Sequence, residues 1–167
     1  MVLSARSRGV LVALVVTAVP VAWGVETGLR AVFLPVEEFE ELRGMLRPGL
    51  TMVARGLVVL TLGLVWPAWA LMRGLVRRRL RALPGRRPDL RAGVRLVAFL
   101  GASSVLQVPG VIATFAFMFG AEVRPVAGVV VTGTLGLLGL GWVTLRDCVR
   151  EGPAGAEKIL DGPPSAP

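Results

Sequence analysis

Four long apolar runs, separated by polar and charged stretches, divide the chain into roughly 9–25, 50–72, 96–120 and 125–145. At about 1.5 Å of rise per residue, the last three are long enough to cross the roughly 30 Å hydrocarbon core of a bilayer as helices, and the first, at about seventeen residues, just reaches the lower limit of a span. Alternation of apolar and polar residues, the mark of a half-buried strand, is absent from all four. The pattern predicts an all-α integral membrane protein with four transmembrane helices in residues 1–150.

The first run follows Arg6 and Arg8, the charge order of a signal peptide, but it has no small-x-small cleavage site near Trp23. A retained signal anchor is expected, bent by Pro20 in its second half. Between runs one and two the sequence PVEEFEELRGMLRPG starts with Pro35, carries acids early and arginine late, and so reads as a short helix. Val36, Phe39, Leu42 and Leu46 share one face, opposite Glu37, Glu38 and Glu41, which makes the helix amphipathic. The acids Glu37, Glu38, Glu40 and Glu41 can gather a divalent cation or form a solvated helix face. The second reading is adopted, and no metal site is assigned.

The second run carries Arg55 near one end, where its side chain can snorkel, and Trp66 and Trp69 around Pro67 near the other. Beyond it lies RGLVRRRLRALPGRRPDLRAGVR, residues 73–95, with nine of the nineteen basic residues and one acid, Asp89. A helix continuing past the membrane should break at Pro84-Gly85, and Asp89 is placed to cap the next one. Lys and Arg number fourteen in this hairpin and the two terminal segments, against four in the other two loops. By the positive-inside rule both termini and the hairpin are cytoplasmic, and the short amphipathic helix lies in the first external loop. Arg77, Arg78, Arg79, Arg81, Arg86 and Arg87 are then candidates for binding anionic lipid headgroups or a protein partner.

Polar residues inside the apolar runs concentrate in the third. Ser103, Gln107, Gly110 and Thr114 recur at helical spacing and share a stripe, and Pro109 frees backbone groups beside it. Ser104 adds a second hydroxyl. The stripe is expected either to hydrogen-bond a neighbouring helix or to line a solute path. In the fourth run Gly128, Thr132, Gly136 and Gly139 form a small-residue groove suited to close helix packing, with another span or another protomer as partner. Residues 151–167, rich in Pro, Gly and Ala, are expected to be a flexible cytoplasmic tail. Its final PSAP carries almost no information in four residues.

Composition narrows the chemistry. Apolar residues make up 54% of the chain, too many for a soluble domain. Arg outnumbers Lys eighteen to one and Asn, His and Tyr are absent, as GC-rich codons would give, so a high-GC bacterium and its inner membrane are expected. The same codon bias explains Arg without any need for guanidinium-specific recognition. A sequence pI near 11.6 would suggest nucleic acid in a soluble chain, but in a membrane chain it records the positive-inside rule, and no nucleic-acid partner is assigned.

One cysteine, Cys148, rules out an intramolecular disulfide, and without His the usual zinc, haem and imidazole chemistry has no ligands. No cofactor is assigned. Ser103 and Ser104 have no general base in view, and the nearest carboxylates, Glu26 and Glu122, sit at span ends. No motif of a small four-span family can be placed on these residues. The expectation is a non-catalytic accessory, assembly or scaffolding subunit, alone as a homo-oligomer or within a larger membrane complex. The alternative is a small channel or transporter component with a polar path along the third span.

Overall fold

A computed structural model of the chain describes residues 5–33, 37–81 and 88–150. Four helices account for nearly all of them: α1 (Ala5–Phe33), α2 (Glu37–Arg81), α3 (Pro88–Met118) and α4 (Val123–Arg150). Arg86, Arg87 and the C-terminal stretch expected to be a flexible tail lie outside the described residues. Each helix outruns the apolar stretch that predicts it, with 29, 45, 31 and 28 residues. Even the shortest reaches about 42 Å at 1.5 Å per residue, so all four are long and apolar enough to span a membrane.

The helices run alternately up and down, and facing pairs fix their register. Val12 of α1 meets Gly141 of α4, and Val19 meets Gly110 of α3. Val58 and Val65 of α2 meet Gly128 and Gly136 of α4, and Leu75 meets Gly101 of α3. Helices α3 and α4 form the central pair. Both α1 and α2 pack on that pair, while α1 and α2 barely touch each other.

Two apolar clusters fill the interior along the bundle axis. One joins Val12, Val16, Met72, Phe99, Leu106, Leu137 and Leu140; the other joins Leu57, Phe117, Val126 and Val129. Fully buried alanines, among them Ala54, Ala68, Ala102 and Ala113, line the contacts and let the backbones approach closely. The outer surface is apolar as well: Leu14, Val59 and Leu135 are 65%, 70% and 62% exposed. A contiguous apolar exterior of this kind marks a lipid or protein contact surface.

The structure departs from the sequence reading at three joints. The amphipathic segment after Pro35 is no separate element among the described residues, because α2 is continuous from Glu37 through Pro48. Pro48 costs that helix one amide donor and opposes the carbonyl of Gly44, a residue whose backbone has latitude to yield. Leu42 and Leu46, on the expected apolar face, are exposed there. Helix α3 starts at Pro88, the favoured first position, so Asp89 falls inside the first turn instead of ahead of it. Helix α1 runs on to Phe33, since nothing between Val25 and Phe33 is a helix breaker other than Gly28.

Helices α3 and α4 are joined by a tight glycine turn. Gly120 has φ 115°, its amide donates to the Phe117 carbonyl at 3.1 Å, and the Ala121 amide donates to the Ala116 carbonyl at 3.0 Å. This pair of bonds is a Schellman motif with glycine at its C′ position. A Cβ at Gly120 would also lie 3.2 Å from the Arg43 carbonyl oxygen, so α2 packs directly on the turn.

Candidate functional site: an arginine-lined cavity at one end of the bundle

The up-and-down topology gathers the start of α1, the end of α2, the start of α3 and the end of α4 at one end. Ten arginines with described side chains sit there: Arg6, Arg8, Arg73, Arg77, Arg78, Arg79, Arg81, Arg91, Arg95 and Arg146. Asp147 is the one described carboxylate among them. Arg78, Arg79 and Arg81 occupy the last turn of α2, where their charge opposes the negative end of the helix dipole. All three point into the surroundings and are exposed.

Arg77 has a different setting. With Met72, Arg73, Val76, Arg95, Val143, Thr144, Arg146 and Asp147 it lines a cavity of ≈ 370 Å³ between the ends of α2, α3 and α4. Arg73 and Arg77 come from successive turns of one face of α2, while Arg95 and Arg146 enter from the other two helices. The Arg73 guanidinium lies over the Trp69 ring, 3.6 Å from its centroid, in a cation–π contact that fixes its direction. Arg95, whose side chain is 17% exposed, forms an ion pair with Asp147 across the α3–α4 seam. That guanidinium also offsets the unfavourable placement of a carboxylate near the C-terminus of α4.

Thr144 is buried in the apolar wall and spends its hydroxyl on the Leu140 carbonyl at 2.8 Å, with the Met72 sulfur at 3.6 Å. The cavity therefore has an apolar wall and a cationic rim. Arg73, Arg77 and Arg146 have no carboxylate partner among the described residues. Trp142 stands on the exterior one turn before Arg146, and Trp66, at the level of the contact between Val65 and Gly136, stands on the exterior nearer the middle of the bundle; each is more than two-thirds exposed. The Trp142 indole suits the boundary between lipid tails and headgroups.

The polar stripe of α3 lies deeper and faces α1. The Gln107 carboxamide donates to the Val15 carbonyl at 2.8 Å, and Gly110 admits Val19 so closely that a Cβ there would be 2.8 Å from its Cγ1. Ser103 is buried and donates to Leu100, Ser104 is exposed and shares that acceptor, and Thr114 donates to Gly110. On α4, Gly128 meets Val58 and Gly136 meets Val65 and Leu106, whereas Gly139 faces open space and Thr132 is half-buried. Two glycines outside that groove make closer or more central contacts. A Cβ at Gly141 would lie 2.8 Å from Val12 Cγ1, and one at Gly133 would lie 3.5 Å from the Leu106 carbonyl oxygen.

Sequence reasoning placed Arg77 in a basic surface but missed the convergence of Arg73, Arg95 and Arg146 with Asp147 on one cavity. One signal was available: Asp147 is an acid amid arginines at the end of an apolar run, and such a residue calls for a specific partner. Among the described residues no three His, Cys, Asp or Glu side chains come together. The acidic run on α2 is described in part, with Glu40 and Glu41 exposed and the side chains of Glu37 and Glu38 outside the described set.

Neither a protein-family model, a curated protein nor a solved structure matches this chain. The class of molecule rests on the fold itself: an all-helical bundle with four helices fit to span a membrane, the form of a multi-pass membrane protein.

Proposed function

We propose that the chain is a non-catalytic, multi-pass protein of the bacterial inner membrane, an accessory, assembly or scaffolding subunit whose Arg-rich end faces the cytoplasm and binds anionic lipid headgroups. The observation that carries this reading is the imbalance of ten described arginines against one described carboxylate at that end. Each basic residue close to an anionic membrane surface contributes about 1 kcal/mol of attraction. The exposed indole of Trp142, one turn before Arg146, supports a headgroup boundary near this end. Gln107 and Gly110 engage α1, so the polar stripe supports helix packing in preference to a solute path.

Replacing Arg77, Arg78, Arg79 and Arg81 together by Gln tests the reading. In lipid mixtures the wild type should gather an anionic shell, and the variant should lose most of it while remaining folded. Equal shells around both proteins would leave the charges with a topological role alone. Orientation has its own reporter in Cys148, the one cysteine of the chain. A membrane-impermeant maleimide should label it in lysates and miss it in intact cells, and labelling of intact spheroplasts would invert the orientation.

A further inference from the structure

Positive-inside topology requires arginines at one end of the bundle, but it does not require them to converge. Four do. Arg73 and Arg77 of α2, Arg95 of α3 and Arg146 of α4 meet around a single cavity, while Arg78 and Arg79, adjacent in sequence, do not line it. We propose that this cavity binds a phosphoryl group, with a dianionic phosphate monoester as its preferred form. The inference rests on the reading that this end faces anionic headgroups, and it names the group and the residues that take it up.

Charge is the first argument. Four guanidinium groups share the cavity with one carboxylate, Asp147, which is engaged by Arg95. Arg73, Arg77 and Arg146 are themselves exposed, but they repel one another around a single concavity whose remaining wall, Met72, Val76 and Val143, is apolar. No described acid relieves that repulsion, and an incoming dianion does. Geometry is the second. Guanidinium groups present planar pairs of donors that match phosphoryl oxygens, and groups from three helices can approach a tetrahedral anion from several directions. Arg73 is already aimed by its contact with Trp69, and Arg95 by Asp147, so part of the ordering cost is met before binding.

Size and polarity complete the case. A volume of ≈ 370 Å³ falls within the roughly 300–1,000 Å³ of small-molecule sites. It exceeds what a bare phosphate fills, and the apolar wall gives the remaining space to the carbon skeleton next to the phosphate. Asp147 repels the ligand from its own side and directs it toward Arg73, Arg77 and Arg146. The phosphoryl group can belong to a lipid headgroup or to a soluble phosphate, and the two sources separate in the assay.

The full chain is reconstituted in phosphatidylcholine nanodiscs doped with phosphatidic acid, a monoester, or with phosphatidylglycerol, a diester. Undoped discs receive inorganic phosphate. Binding is read by bound-lipid counts in native mass spectrometry and by the shift in thermal unfolding. The wild type should retain the monoester lipid most strongly. Combined Arg77→Gln and Arg146→Gln should weaken retention by about ten-fold, since removing one charge-assisted hydrogen-bonding group already reaches that factor. The charge-matched pair Arg78→Gln and Arg79→Gln should change it less than about two-fold, since neither residue lines the cavity. If the glutamine pair fails to fold, Arg77→Lys with Arg146→Lys keeps the charge, and it should bind at intermediate strength because an ammonium lacks the planar fork.

Stabilisation by inorganic phosphate alone, lost in the same pocket variants, would assign the site to a soluble phosphate and uphold the inference. Equal losses in the pocket pair and the neighbouring pair would overturn it and leave the broader anionic-lipid reading standing. No preference for anionic lipid in the wild type would sink both.

Discussion

Where α3 turns into α4, the described cations and carboxylates are matched: Arg43, Arg47, Arg55 and Arg124 share that end with Glu26, Glu40, Glu41 and Glu122. Glu122 stands 3.9 Å from both Arg47 and Arg55, and its amide takes the Thr51 hydroxyl oxygen as acceptor at 3.2 Å. At the opposite end described arginines exceed described carboxylates ten to one, and that single described acid is committed to Arg95. The first end is held by backbone geometry, with Gly120 and Arg43 in direct contact. At the second, positive charge exceeds negative charge among the described side chains. One end closes the bundle on itself, and the other carries a cationic excess among its described side chains.

The comparison breaks most sharply at Gly120. Gly120→Ala puts a Cβ on a backbone with φ 115° and against the Arg43 carbonyl. It should cost about 2–3 kcal/mol, read by unfolding in mixed detergent, and leave lipid binding at the far end unchanged. A loss below about 0.5 kcal/mol would show that the turn is not held as described. At the Arg-rich end, Asp147→Asn leaves Arg95 largely buried without its carboxylate and should cost about 1–2 kcal/mol. The same change removes the only described negative charge at the cavity, so stability should fall while retention of anionic lipid rises. A fall in both would mean that Asp147 organises the cavity more than it opposes a ligand.

Between the two ends, Gln107→Leu removes the hydrogen bond to α1. Unfolding free energy should drop by about 1 kcal/mol, the usual worth of such a bond within a bundle. Solute flux in reconstituted vesicles should not change; altered flux with unchanged particle size would make the α3 stripe a path. The smallest effect belongs to Glu122→Gln. Its two ion pairs are long and substantially exposed, so about 0.5 kcal/mol or less is expected, vanishing in high salt.

The four helices and their alternation were legible because apolar runs and arginine-rich loops are written directly in the sequence. Which face of each helix turns inward was much less so. In a soluble bundle the polar face identifies the outside, but here Val59 and Leu135 point outward and Val58 and Leu137 inward, with nothing in residue type to separate them. Small residues hint at close packing without naming the partner. Gly139 shares the spacing of Gly128 and Gly136 and faces open space, while Gly141 lies against Val12. The cavity was illegible for a related reason. Arg73, Arg77, Arg95 and Arg146 meet only through the mutual rotation of three helices, and a count of charges per loop contains no rotation.

The peripheral position of α1 gives the bundle a history. Helix α1 leaves the ribosome first, yet the helices that cover it, α3 and α4, are made last, and α2 offers it almost no contact. In a bilayer it has to remain as a lone helix while the second half of the chain is synthesised. Its apolar exterior can do so without an unpaired polar side chain at the level of Val15, because the group that bonds there belongs to Gln107. Order of synthesis and order of assembly are thus reversed for this helix. A chain delivered as two pieces, one ending after α1 and the other carrying α2 to α4, retains every large helix contact needed to rejoin.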